Sequence, residues 1–285
     1  MVIVKILGGL GNQMFQYAYA NALKQKGYNV KLDITGFHNY SLHGGYHLNN
    51  YNVTIDVATE NEILFIKKKN YFKNILRQLC LKNKIILKER TLLFNNKFLS
   101  ISDNTYVEGY FQSEKYFNSI RNSILESFTL INPISSYGVS ISEKIISLKN
   151  TCSIHIRRGD YLNDVNKNIF GTCSLNYYKD AISHIEKNIP NITFFIFSND
   201  IEWSKDNINV KHAVYIDNSS RIPNEDIYLM SLCKHNIIAN SSFSWWGSWL
   251  NTNKHKIVIA PKNWFIDSKL FSESLDIIPK NYIQL

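Results

Sequence analysis

Residues Val2–Ala18 read VIVKILGGLGNQMFQYA. The run Val2–Leu7 is short, apolar and rich in β-branched residues, the pattern of a buried strand. Gly8, Gly9 and Gly11 then punctuate the chain. Asn12–Lys26 follows with Phe15, Ala18, Tyr19, Ala22 and Leu23 at helical spacing and Gly27 as a stop. With Asn29–Asp33 as a second β-branched run, this is the opening of a parallel α/β sheet. Glycines at a strand-to-helix turn let the backbone approach a ligand, and the helix start favours an anion. Asn12 and Gln13 add uncharged donors that suit phosphate or sugar. A plain tight turn explains the glycines equally well.

The same alternation recurs after Cys152. Strands are predicted at 152–157, 193–198, 213–216, 236–239 and 256–260, and helices at 175–188, 224–234 and 243–252. The first half adds a basic helical stretch over 59–99, a strand at Tyr106–Glu108 and helices at 113–127 and 140–149. At roughly 150 residues per domain, 285 residues suggest two domains. Pro133 and the serines at 135 and 136 mark a break, and the domains are drawn as 1–149 and 150–285. The expected class is α/β, with ligands beyond the carboxyl ends of the strands.

Composition removes several other classes. A chain that is 45% hydrophobic and 13% aromatic is not disordered. Four widely spaced cysteines make neither a zinc site nor a disulfide framework. The apolar start is too short for a signal peptide, and no stretch reaches the ~18–20 apolar residues of a membrane span. The expected location is therefore cytoplasmic. The net charge of +9 is local: segment 67–97 has ten basic residues and one acid, Glu89, whereas 151–285 has 14 basic and 13 acidic residues. That argues against a nucleic-acid partner. It points instead to peripheral contact of 67–97 with an anionic membrane, since Phe72, Ile75, Leu76 and Leu79 share one helical face. An ordinary domain helix has the same pattern.

Two further motifs end predicted strands. In Ser153–Tyr161, SIHIRRGDY, His155 and Arg157 share one face of the strand, with Arg158 and Gly159 opening the loop. Neighbouring guanidinium forks suit a diphosphate. The competing reading pairs Asp160 with an arginine. In Asn240–Leu250, NSSFSWWGSWL, Ser241 or Ser242 caps a helix whose first amides can hold an anion. Trp245 and Trp249 share a helical face and read as core. Asp200, after the strand 194–197, offers a carboxylate to guanine N–H groups or is a surface loop acid. Asp226 is a second acid at a ligand end, or stabilises a helix start.

Taken together, GGLGNQMFQYA, HIRRGDY and NSSFSWWGSWL resemble the α-1,2-fucosyltransferases of glycosyltransferase family 11, from residue 8 to about residue 264. The Arg motif is also similar to that of α-1,6- and protein O-fucosyltransferases. The resemblance implies a GT-B-like architecture of two Rossmann-like domains facing across a cleft, acceptor on the N-terminal side and GDP-β-L-fucose on the C-terminal side. It implies inverting transfer to the 2-hydroxyl of a galactoside, with GDP-fucose as co-substrate and no metal or cofactor. By the same resemblance, His155 and Arg157 hold the donor, Arg157 at the diphosphate. Arg158 matches the second arginine. Ser241, Ser242 and Phe243 hold phosphate, and Gly9, Gly11, Asn12 and Gln13 meet the donor from the N-terminal loop. Asp200 is assigned to the guanine.

An inverting transfer needs its leaving diphosphate stabilised. Arg157, a helix start and an Asn-bearing loop would do this without a cation, and no Asp-x-Asp occurs. Asp160, with Asp164 as the alternative, is the candidate general base; orienting an arginine is its other reading. The acceptor is a galactose-terminated glycan or glycolipid, such as an O-antigen. Its specificity lies in loops around 36–60 and 160–175, and His38, His43 and His47 are candidates there. A competing reading makes the chain an NAD(P)-dependent oxidoreductase through Gly9-x-Gly11 and Asp33; Met14 at the third glycine position counts against it.

Overall fold

Val2, Ile3 and Val4 have no solvent exposure. Strand β1 (Val2–Lys5) can bury both faces because it lies between two parallel neighbours, β2 (Val30–Asp33) and β4 (Thr105–Glu108). In this computed structural model, residues 1–38, 44–67, 86–163, 167–217 and 222–285 are described, less the side chains of Asp160 and Leu162. The chain divides into two units, Met1–Ile131 and Asn132–Leu285.

The first unit holds a four-stranded parallel sheet in the order β2-β1-β4-β3, with β3 at Ile86–Lys88. Helix α1 (Leu10–Gln25) follows β1. Every residue from Leu10 to Leu23 is buried except Asn12. The helix starts at Leu10 rather than Asn12, with Gly9 as its N-cap, so Asn12 and Gln13 lie in its first turn. The predicted helical stretch 59–99 is corrected. Residues 60–67 are helical (α2), but Ile86–Lys88 is a sheet strand and Asn96–Leu99 a 3-10 turn. Pairing of β3 with β4 is a long-range contact, which local periodicity does not register. The core of the basic run, 68–85, lies outside the described residues. The predicted helix 113–127 breaks into two 3-10 turns and a short helix α3 (Arg121–Ser127).

The second unit holds a six-stranded parallel sheet in the order β10-β9-β8-β5-β6-β7. Its strands are β5 (Thr151–Ile156), β6 (Thr193–Ser198), β7 (Ala213–Tyr215), β8 (His235–Ile237), β9 (Val258–Ala260) and β10 (Ile283–Gln284). The helices are α4 (Ser136–Ser147), α5 (Leu175–Asn188), α6 (Ile201–Asn207), α7 (Pro223–Leu232), α8 (Ser242–Leu250) and α9 (Ser268–Ser272). Ile154, Ile156, Phe194, Ile196, Ile237 and Ile259 from the sheet pack with Tyr178, Ala181 and Ile185 of α5. The division falls at 131/132 rather than 149/150 because α4 belongs to this unit. It packs on α7, and Ser135 donates to Glu225 through its N–H at 3.0 Å and its hydroxyl at 2.8 Å. Helices α6 and α9 and strand β10 are additions to the sequence reading; all three are too short for a periodic signal.

Strand order locates the ligand ends. After β5 the chain builds β6 and β7 on one side, then returns to build β8, β9 and β10 on the other. The reversal lies between β5 and β8, and in open parallel sheets ligands bind beyond the carboxyl ends at such a point. In the first unit the corresponding reversal lies between β1 and β4.

Candidate functional site

Arg157 follows the last residue of β5, and Ser241 follows the turn out of β8, so both motifs border the same reversal point. The His155 and Phe243 rings lie 5.5 Å apart, which brings the arginine motif against the start of α8. His155 is 4% exposed, and its Nδ1 has no hydrogen-bond partner among the described residues. Burial, and then the charge of Arg157, push its pKa down to about 3, so the ring is neutral at physiological pH. Its backbone carbonyl accepts from Tyr178 of α5 at 3.2 Å.

The two arginines diverge, since successive residues leaving a strand point to opposite sides. Arg157 places its guanidinium 5.6 Å from the Tyr161 ring centre. Arg158 stacks 3.9 Å over Trp203 and pairs through Nε with Asp200 at 3.3 Å, while its N–H donates to Asn199 at 2.9 Å. The two forks do not lie side by side in this structure: that of Arg158 is turned to α6. Asp200 also caps α6, accepting from the Trp203 amide at 3.3 Å. The carboxylate assigned to guanine thus already holds an arginine and a helix start. Asp160 sits in a 3-10 turn, Gly159–Leu162; its side chain and residue Asp164 lie outside the description.

Helix α8 is built to present its N-terminus. Ser241 is the N-cap, its hydroxyl accepting from the Phe243 amide at 3.4 Å. Ser242 and Phe243 are half-buried. Behind them Trp245, Trp246 and Trp249 are essentially unexposed, and Trp245 Nε1 donates to the Ile277 carbonyl at 2.8 Å. The tryptophans are core, as their spacing predicted. Lys256 donates to the carbonyls of Ser248 (2.6 Å) and Asn251 (2.8 Å), a cation at the negative end of the same helix. Asp226 is buried in the first turn of α7, which packs along α8.

In the first unit the glycine turn is held from within. Gly8, at φ +80°, is the residue that needs glycine: a Cβ there would lie 2.8 Å from Asn12 Nδ2. Gly9 caps α1 and Gly11 is buried in its first turn. Gln13 is unexposed. Its amide donates to the carbonyls of Gly8 (2.9 Å) and Gly45 (2.8 Å) and accepts from the His47 N–H at 3.0 Å. Its side chain therefore ties the 44–47 loop to the turn. Asn12 differs: its Oδ1 accepts from Gln112 at 2.7 Å, which leaves the amide nitrogen as the donor that remains. Of the histidines proposed for the loop, His38 is exposed, His47 is bound to Gln13 through its backbone, and His43 lies outside the described residues.

Sequence reasoning missed Gln112. It stands past the end of β4 and meets Asn12 only because β4 pairs with β1 across 100 residues of chain. Glu89 supports it, its Oε2 accepting from the Tyr110 and Phe111 amides at 2.7 and 2.9 Å. Phe111 is held there at φ 52°, a costly left-handed conformation for an aromatic residue.

Asp33 cannot serve a dinucleotide ribose here. It is 1% exposed, accepts from the Thr35 N–H (2.9 Å) and hydroxyl (2.6 Å) and from the Tyr106 hydroxyl, and faces Lys67 at 3.8 Å. Among the described residues, no three His, Cys, Asp or Glu side chains gather as a metal site, and no helix is long and apolar enough to cross a membrane.

Comparison with known proteins is consistent with this layout. The chain is 35% identical over 299 aligned residues to an alpha-1,2-colitosyltransferase of Escherichia coli, covering 100% of this chain and 99% of that protein. It is 24% identical over 156 residues to galactoside alpha-(1,2)-fucosyltransferase 1 of Leontopithecus chrysomelas, covering 50% and 42% respectively. Its fold matches the crystal structure of NodZ alpha-1,6-fucosyltransferase soaked with GDP-fucose, with TM-score 0.53 at 14% identity over 87% of this chain and 91% of that one. The GT-B-like fold class expected from the motifs is thus shared with a solved fucosyltransferase, and the oxidoreductase alternative is set aside. The model for glycosyl transferase family 11 matches residues 1–285, and the chain is a glycosyltransferase of that family.

Proposed function

We propose that this enzyme transfers L-fucose from GDP-β-L-fucose, with inversion and without a metal, to the 2-hydroxyl of a galactoside. The observation that carries this reading is the meeting of His155 and the Arg157 motif with the capped start of α8 at one strand-order reversal. A cation and a set of helix amides there suit a diphosphate that gains charge as the glycosidic bond breaks. Arg157 takes the diphosphate, Ser241, Ser242 and Phe243 offer hydroxyl and backbone N–H, and the neutral His155 offers a ring nitrogen. Asn12 steadies the donor through its amide nitrogen, and Asp160 takes the acceptor proton. Arg157→Ala should lose at least ~3 kcal/mol of transition-state stabilisation, on the order of 10²-fold or more in kcat/KM. Near-native turnover in that variant would refute the assignment. GDP, but not NADH, should raise the melting temperature.

A second donor is favoured by one observation, the 35% identity to an alpha-1,2-colitosyltransferase. Colitose is fucose without its 3-hydroxyl. A pocket that hydrogen-bonds this hydroxyl rejects the deoxy sugar by about 10⁴-fold or more, whereas one lined by apolar groups discriminates only weakly. Competing GDP-fucose against GDP-colitose over a galactoside panel decides between them.

The basic segment 67–97 is assigned to contact with an anionic membrane, which would bring a lipid-linked acceptor to the enzyme. Leu64 (47% exposed) and Phe65 (56%), just before the run, and Ile86 (38%), within it, support this reading.

A further inference from the structure

Asn240 occupies the turn between β8 and α8, one residue before the Ser241 cap, and is 3% exposed. Its Nδ2 donates to three carbonyls, of Phe170 (2.9 Å), Gly171 (3.1 Å) and Trp264 (3.2 Å). Its Oδ1 accepts from Cys173 Sγ at 3.5 Å, and its own carbonyl accepts from the Tyr161 hydroxyl at 3.2 Å. One buried residue therefore binds both ends of the 161–173 segment and the segment after β9 to the start of α8. Capping does not require this, because Ser241 caps α8 by itself.

The clamped segment leads back to Arg157. Tyr161 stacks on Phe170 with ring centres 5.0 Å apart, and the Arg157 guanidinium lies over the Tyr161 ring. Gly171, at φ +61°, brings the chain so close to Ile266 that a Cβ would clash. Both halves of the anion site, the cation and the helix start, thus share Asn240 as a common anchor.

We propose that Asn240 is a positioning residue for transfer. It fixes the spacing between Arg157 and the first amides of α8, so that a nucleoside diphosphate meets both without reorganisation. This rests on the donor-site reading above. A preformed spacing lowers the ordering cost of binding and of reaction, and a misplacement near 1 Å can cost 10²-fold in rate.

The test uses the full chain with Asn240→Ala and the milder Tyr161→Phe, which removes one hydroxyl and keeps the ring. In ligand-free protein, Asn240→Ala should speed amide hydrogen exchange at 156–163 and 167–173 while leaving β1 and β4 unchanged. Its GDP affinity, by calorimetry, should fall about 10-fold, and kcat/KM for the donor on the order of 10²-fold, with acceptor KM preserved. Tyr161→Phe should show the same pattern at smaller size, and carries the test if Asn240→Ala does not fold. A lower melting temperature with GDP affinity and kcat within twofold of native would make Asn240 merely structural and overturn the proposal. Failure of the native protein to bind GDP would instead defeat the donor-site reading. In that event unchanged exchange at 156–163 still overturns the clamp, and accelerated exchange there upholds it.

Discussion

Glu89 shows how one side chain carries structure, strain and charge at once. Its Oε2 pins the Tyr110 and Phe111 amides, while Oε1 is buried without a hydrogen-bond partner among the described residues. Burial pushes its pKa up to about 7, against the lowering effect of the two amides. The folded state therefore holds this proton more tightly than the unfolded chain does. The resulting stability is full below pH ~4.5 and is lost as pH rises to about 7. Glu89→Gln keeps an acceptor for both amides and removes the titration. It should be more stable than the native protein at pH 8, by up to about 3 kcal/mol, and roughly equal at pH 4.5, as urea titrations at the two pH values would show. Equal stability at pH 8 would mean that the carboxylate is solvated and Phe111 is held by other means. Asn12 and Gln13 make the complementary point: adjacent amides in one helical turn take opposite duties, because one side chain faces the 44–47 loop and the other faces Gln112.

Helix α8 is the element that joins fold to function. Its nine residues bury three tryptophans, end on Lys256 and begin on Ser241. It lies close to α7 because Gly247 has no side chain; a Cβ there would be 2.8 Å from Met230 Cβ. Two backbone-borne atoms cannot part without shifting a helix. Gly247→Ala should therefore cost about 1–3 kcal/mol in chemical denaturation and weaken GDP binding by displacing the cap. Full GDP affinity in a destabilised variant would show that the helix start is fixed by the Asn240 turn and not by α7. Helices α1 and α8 were legible because their apolar periodicity is local. Strand β3 was not, since three residues on a sheet edge acquire their meaning from β4.

At the scale of the whole molecule, two parallel sheets each place one motif set at a strand-order reversal. The basic run lies in the first half of the sequence, whereas residues 151–285 are near neutral. If that run meets lipid, the protein should cosediment with vesicles containing anionic phospholipid. Binding should fall steeply between 50 and 300 mM salt and with reversal of several lysines in 67–97, because exposed charges are screened within about 10 Å at 0.1 M salt. Binding that ignores both changes would remove the electrostatic interpretation.

The sequence by itself determined the class of the fold, the order of the motifs and the family, because strand and helix periods are local and three motifs of seven residues or more stand in the family's order along the chain. It also placed Arg157, His155 and Ser241 at strand ends. Only the tertiary structure decided which partners these side chains take within the protein. Gln13, Arg158 and Asp200 are engaged with other residues of the protein, and Gln112 meets Asn12 from a segment with no motif character of its own. Hydrogen-bond partners in a parallel sheet fold come from residues far apart in sequence, and no local period encodes which donor finds which acceptor.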